Sequence, residues 1–143
     1  MLSGLVLMLT ACNNDRPEPA GVELSTARVR LSIIRTATHP FLARYRLTLL
    51  VEGPPHCQAT AELFPDTGYA GRRNLYQRGS GTFIVLGQYD ARVIDLSDCS
   101  VHLIEFQSLT EQGTYLGTFD VDGQKRWNYF PSQIRAERPF EKQ

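Results

Sequence analysis

From residue 28 onward, apolar and polar side chains exchange places at every second position, and that period limits what the chain can fold into. Val29, Leu31 and Ile33 alternate with Arg28, Arg30 and Ser32; Tyr45, Leu47, Leu49 and Val51 alternate with Arg44, Arg46 and Thr48. Successive side chains of an extended strand point to opposite faces, so each run presents one apolar and one polar face. Turn signals close the runs: Thr38-His39-Pro40, then Gly53-Pro54-Pro55, then Pro65-Asp66-Thr67-Gly68 after a strand over 57–63. No stretch carries the 3.6-residue period of an amphipathic helix.

The second half reads the same way. Residues 74–77 form a short strand or an irregular crossing, and Gly79-Ser80-Gly81 leads into an apolar run over 82–86 that suits a buried strand. Residues 90–96 follow, with a tight turn at Asp95-Leu96-Ser97-Asp98, and then a strand over 99–108. Tyr115, Phe119 and Val121 run up to Asp122-Gly123, the best hairpin signal in the chain, and residues 125–130 return from it to Pro131. Seven to nine strands with no helix predict an all-β fold, because a one-sided sheet needs a second sheet to cover its apolar face. The expected architecture is an antiparallel β-sandwich, immunoglobulin-like, with Trp127 filling core volume; a small β-barrel is the alternative. The 143 residues allow one such domain, placed at 24–132, with a charged tail over 133–143 expected to fray. A charged fraction of 21% and a formal net charge of zero argue against disorder and against a nucleic-acid partner.

The front of the chain carries the strongest motif. Residues 2–9 are an apolar run followed by Thr10, Ala11 and Cys12. Eleven residues of helix reach about 16 Å against roughly 30 Å of hydrocarbon, which suits a cleaved secretory leader and not a membrane span. Leu9-Thr10-Ala11-Cys12 resembles the lipobox of bacterial lipoproteins. That resemblance covers residues 1–12 only and implies a signal peptide over 1–11, cleavage before Cys12, and acylation of Cys12 by diacylglyceryl and palmitate-type chains. Met1-Leu2-Ser3-Gly4 lacks the Lys or Arg with which such leaders open, so the expectation is a start further upstream. Residues 12–23 are polar and contain Pro17, Pro19 and Gly21, the composition of an extended tether. Asn13 after the cysteine, where the class rule for inner-membrane retention needs Asp, implies the outer membrane, facing the periplasm.

Two thiols then remain, Cys57 and Cys99, and an exported compartment favours a disulfide between them. Their strands would share inward parity, burying Ala59, Ala61, Val101 and Leu103 around the sulfurs. A Cys2His2 metal site with His56 and His102 is the competing reading, but neighbours in a strand point to opposite faces and the spacing is unusual for zinc.

Little else suggests chemistry. No nucleophile elbow, phosphate loop or EF-hand is present; Ser80 lies between turn glycines, and Asp90, Asp95, Asp98, Asp120 and Asp122 suit turns better than calcium. No metal or cofactor is implied. Tyr115, Trp127 and Tyr129 flank the Asp122-Gly123 hairpin as a candidate recognition surface. The functional expectation is a lipid-anchored, non-enzymatic binding or assembly module acting on another envelope or periplasmic protein. The alternative is a periplasmic cell-wall hydrolase, or an inhibitor or immunity lipoprotein against such an enzyme.

Overall fold

The structure, a computed structural model, describes residues 16–25, 27–105 and 113–140. The lipobox, the residue-106 end of the expected 99–108 strand, and residues 141–143 lie outside that set. Among the described residues, ten strands form two antiparallel sheets. The first holds β1 (Glu18–Leu24), β2 (Val29–Ala37), β3 (Tyr45–Gly53) and β4 (Cys57–Glu62), in that order. The second holds β5 (Arg73–Arg78), β6 (Thr82–Leu86), β7 (Ala91–Asp95), β8 (Ser100–Ile104), β9 (Thr114–Val121) and β10 (Trp127–Pro131), in the order β10-β9-β5-β6-β7-β8. The sheets pack face to face without closing, so the fold is a sandwich and not a barrel. The strand order is not that of an immunoglobulin domain: β1 to β4 stay within one sheet, and the chain crosses to the second sheet once, between β4 and β5.

The core follows the alternation. Val29, Leu31 and Ile33 of β2 and Leu47, Leu49 and Val51 of β3 pack against Leu75, Phe83, Val85, Ile94 and Phe119 of the second sheet. Trp127 joins them at 5% exposure; its indole N–H donates to the Ile33 carbonyl at 2.9 Å, tying one sheet to the other.

Three boundaries differ from the sequence reading, the first at the expected 99–108 strand, which is β8 over Ser100–Ile104 with Cys99 in the turn before it at φ 53° and Glu105 already outside it. Glu18–Leu24 is a strand paired along its whole length with β2, not tether, because an edge strand with one neighbour tolerates Pro19 and Gly21. Residues 132–140 do not fray. They run back over the outer face of the second sheet, where Tyr76, Ile84, Leu86 and Ala91 form a second apolar cluster with Tyr115 and Phe140 against it. The Tyr76 hydroxyl donates to Glu137 at 2.9 Å, Asn74 Nδ2 to the Arg138 carbonyl at 3.0 Å, and the Tyr115 hydroxyl to the Arg135 carbonyl at 3.1 Å. The Arg72 guanidinium lies 3.9 Å over the Phe140 ring.

Candidate functional site

The pairing registers define two ends. Glu18 opposite Arg35, Ala37 opposite Tyr45, and the bridge between Tyr45 and Asp66 place the start of β1 at the same end as the β2–β3, β4–β5, β6–β7 and β9–β10 connections. This is the proximal end. The β1–β2, β3–β4, β5–β6 and β7–β8 turns form the distal end.

At the proximal end the crossing segment 63–72 is held by a buried cation. Arg73 donates to the carbonyls of Phe64 at 2.8 Å, Ala70 at 2.5 Å, and Gly71 and Arg72 at 3.1 Å each. Its guanidinium lies 3.2 Å from Asp90, and the two side chains are 2% and 1% exposed. Asp90 accepts the Phe64 N–H at 2.9 Å through its other oxygen. Burial pushes the Arg73 guanidinium down from its ordinary value, and Asp90 and Asp66 oppose that shift. Asp66 accepts the N–H groups of Gly68 and Ala70, which shapes the loop around Gly68 at φ 122°. A second cation, Arg35, ends the inward row of β2: it is 4.2 Å from the Tyr45 ring centre, pairs with Glu18 at 2.6 Å and donates to the Lys125 carbonyl.

The loops so fixed carry apolar side chains into solvent. Phe41 is 92% exposed, Tyr69 103% and Tyr89 60%, with Leu42 and Phe64 also exposed. These five are most of the seven large hydrophobics exposed among the described residues, the others being Leu103 and Ile134. Arg44, Arg46 and Lys125 stand exposed at the same end without an ion pair among the described residues. The signal for the aromatics was available in the sequence: Phe41, Tyr69 and Tyr89 interrupt turn segments where alternation gives them no inward position.

The distal end is built differently. Cys57 and Cys99 are joined with their Cα atoms 5.4 Å apart, linking the edge strand β4 to the turn before the opposite edge strand β8. Ala59, Ala61 and Val101 pack on the core as their parity requires, whereas Leu103 is 52% exposed, because β8 ends the sheet beyond the cover of β4. Two open recesses adjoin here and share Glu52 and Gly53. One, of about 510 Å³, runs along Glu23, Leu24, Arg28 and Arg30 to Pro54; the other, of about 490 Å³, is bounded by Pro55, His56 and Gln58.

The candidate surface Tyr115, Trp127 and Tyr129 does not come together. Trp127 belongs to the core; Tyr129 is half-buried beside it, 4.9 Å from the Phe119 ring, with its phenol pushed up to about 12 by burial. Tyr115 lies on the opposite face of the sheet, under the tail. The three histidines are dispersed: the His39 ring accepts the N–H groups of Phe41 and Leu42, His56 sits in the distal turn, and His102 on β8. With both thiols in the disulfide, the Cys2His2 set does not exist, and no group of three or more metal-binding side chains occurs among the described residues. Asp95, Asp98 and Asp122 bond to their own turns through Ser97, Ser100, Gln124 and Arg126, which holds Asp95 and Asp122 below the usual carboxylate range. No protein-family model, curated protein or solved structure matches this chain.

Proposed function

We propose that this chain is a lipid-anchored lipoprotein of the bacterial outer membrane, whose β-sandwich binds another envelope or periplasmic protein and performs no chemistry itself. The observation that carries the reading is the pair of adjoining distal recesses. They lie at the end opposite to the start of β1, and therefore away from a lipid on Cys12. Their walls mix both charges, Glu23 and Glu52 with Arg28 and Arg30, on a frame stapled by the Cys57–Cys99 bridge. Rigid, mixed-charge relief of this kind suits a protein surface better than a small apolar ligand, which prefers an enclosed pocket.

Two measurements test it. Metabolic labelling with a palmitate analogue tags the native protein, and Cys12→Ala abolishes the tag. A photo-crosslinking amino acid placed at Arg28 or Gln58 in intact cells yields a discrete adduct, lost on Glu52→Arg, while the same group at Thr60, on the exposed outer face of β4, yields none. Equal adducts from all three positions, or turnover of a cell-wall polymer by the purified protein, would reject a distal binding surface.

A further inference from the structure

We infer that the proximal end is a membrane-contacting surface, seated on the phospholipid leaflet that holds the anchor. The inference rests on acylation of Cys12, proposed above. Its structural basis is the register of β1. Glu18 stands opposite Arg35, at the end bearing the β2–β3, β4–β5 and β6–β7 loops. Only residues 13–17 separate Cys12 from Glu18, and six residue steps span at most about 20 Å. An acylated Cys12 is therefore attached at this end, which it holds within about 20 Å of the headgroups.

The chemistry of that end matches a lipid interface. Phe41 and Tyr69 are 92% and 103% exposed, with Leu42, Phe64 and Tyr89 on the same set of loops. Apolar and aromatic side chains on loop tips gain by entering the headgroup region, where a Tyr ring is buried and its hydroxyl stays wet. Arg44, Arg46 and Lys125 supply positive charge towards an anionic leaflet. The acids of this end are mostly engaged within the fold: Glu18 with Arg35, Asp90 with Arg73, Asp122 with Arg126, and Asp66 on its own loop. Glu62 and Glu105 are exposed acids at this end that oppose them. A protein partner fits this end poorly, because a tether of about 20 Å leaves little room for a domain between the loops and the bilayer.

The test is depth-dependent quenching on the full-length protein purified in detergent and reconstituted into vesicles. The vesicles are phosphatidylethanolamine with a minority of phosphatidylglycerol, carrying acyl chains brominated close to the headgroup, and no other protein is present. Phe41→Trp and Tyr69→Trp report the proximal end, and Ser25→Trp the distal turn. The native Trp127 is buried and its signal is subtracted using the parent protein. The mass of each preparation shows whether Cys12 is acylated. Seating roughly 5–10 Å into the interface predicts that the two proximal reporters lose about half their added emission while Ser25→Trp loses almost none. Adding Arg44→Glu and Arg46→Glu to the Tyr69→Trp variant reduces the loss in these vesicles and has less effect at high salt. An acylated protein whose three reporters are quenched equally little overturns the membrane seating and leaves the anchor standing. A protein without the acyl mass overturns the anchor, and with it this orientation.

Discussion

Replacing Asp90 by Asn removes one charge from the most deeply buried ion pair and changes little else. The Asn carbonyl still accepts the Phe64 N–H, so the loss isolates the charge that balances Arg73. At 3.2 Å and an effective dielectric near 20, Coulomb's law gives about 5 kcal/mol, and breaking a buried pair ordinarily costs roughly 3–5 kcal/mol. The guanidinium cannot shed its proton, so it stays charged and under-compensated at 2% exposure. For a domain of about 120 residues, 1 kcal/mol corresponds to roughly 4 °C, which predicts a fall in Tm of about 12–20 °C. Asp90→Ala also orphans the Phe64 N–H and should cost about 1–3 kcal/mol more. The internal control is Glu23→Gln, because Glu23 pairs with Arg30 at 3.4 Å with side chains 78% and 49% exposed. A pair of nearly the same length in water is worth about 0–1 kcal/mol. Urea unfolding of the oxidised protein, followed by far-UV circular dichroism, measures both variants. If Asp90→Asn costs no more than Glu23→Gln, burial is not what makes the Arg73–Asp90 pair matter, and the account of the crossing segment fails.

Cys57→Ala opens a bridge between residues 42 apart, for which chain entropy gives about 4 kcal/mol; an unchanged midpoint in non-reducing denaturant melts would contradict the staple. Gly87→Ala sets a methyl 2.6 Å from Arg73 Nε in a buried site that cannot give way, so we expect a loss of about 1–3 kcal/mol in the same assay, against almost none for Gly81→Ala in open space. Burial raises the phenols of Tyr76, Tyr115 and Tyr129, the last to about 12. A raised folded-state pKa gives stability that is whole below the unfolded value of about 10 and falls as pH rises from there towards the folded one. Stability should therefore drop between about pH 10 and 12, with phenolate absorbance appearing along with unfolding; full phenolate absorbance in still-folded protein would refute it.

The alternation made β2 and β3 legible because each faces the core on one side and solvent on the other. It made β6 legible in a weaker sense. The run over 82–86 has no polar phase, and the structure supplies the reason: Phe83 and Val85 face the sandwich core while Ile84 and Leu86 face the second cluster. A run without alternation signals cover on both faces, but it does not name the cover. The cover includes residues 132–140, whose charges read as a solvated tail. Their role emerges only when Tyr76, Tyr115 and Asn74 are seen to spend their polar atoms on that backbone and on Glu137. For β1 the obstacle was different. Pro19 and Gly21 lower strand propensity anywhere, yet an edge position with one partner removes most of the penalty, and edge status is a property of topology.

Tyr115, Trp127 and Tyr129 flank one hairpin in sequence without sharing a surface, for a related physical reason. Aromatics inside strands are where a sandwich finds its largest core volumes. Phe119, Trp127 and Tyr129 do that here, with ring centres of Phe119 and Trp127 6.5 Å apart. The aromatics that reach solvent lie instead in connections, on Phe41, Tyr69 and Tyr89, where no inward phase exists to absorb them. Their exposure is also costly to the free protein, since each leaves an apolar ring in water next to a frame rigidified by Arg73, Asp90 and Asp66. A loop held that firmly cannot fold its aromatic back into the core when the aqueous state would favour it. The buried ion pair and the exposed rings are thus two sides of one arrangement: the charges fix the crossing segment so that Tyr69 remains presented. On the membrane seating proposed above, Asp90→Asn should therefore reduce quenching of the Tyr69→Trp reporter by the brominated vesicles at temperatures where far-UV circular dichroism still shows the native fold.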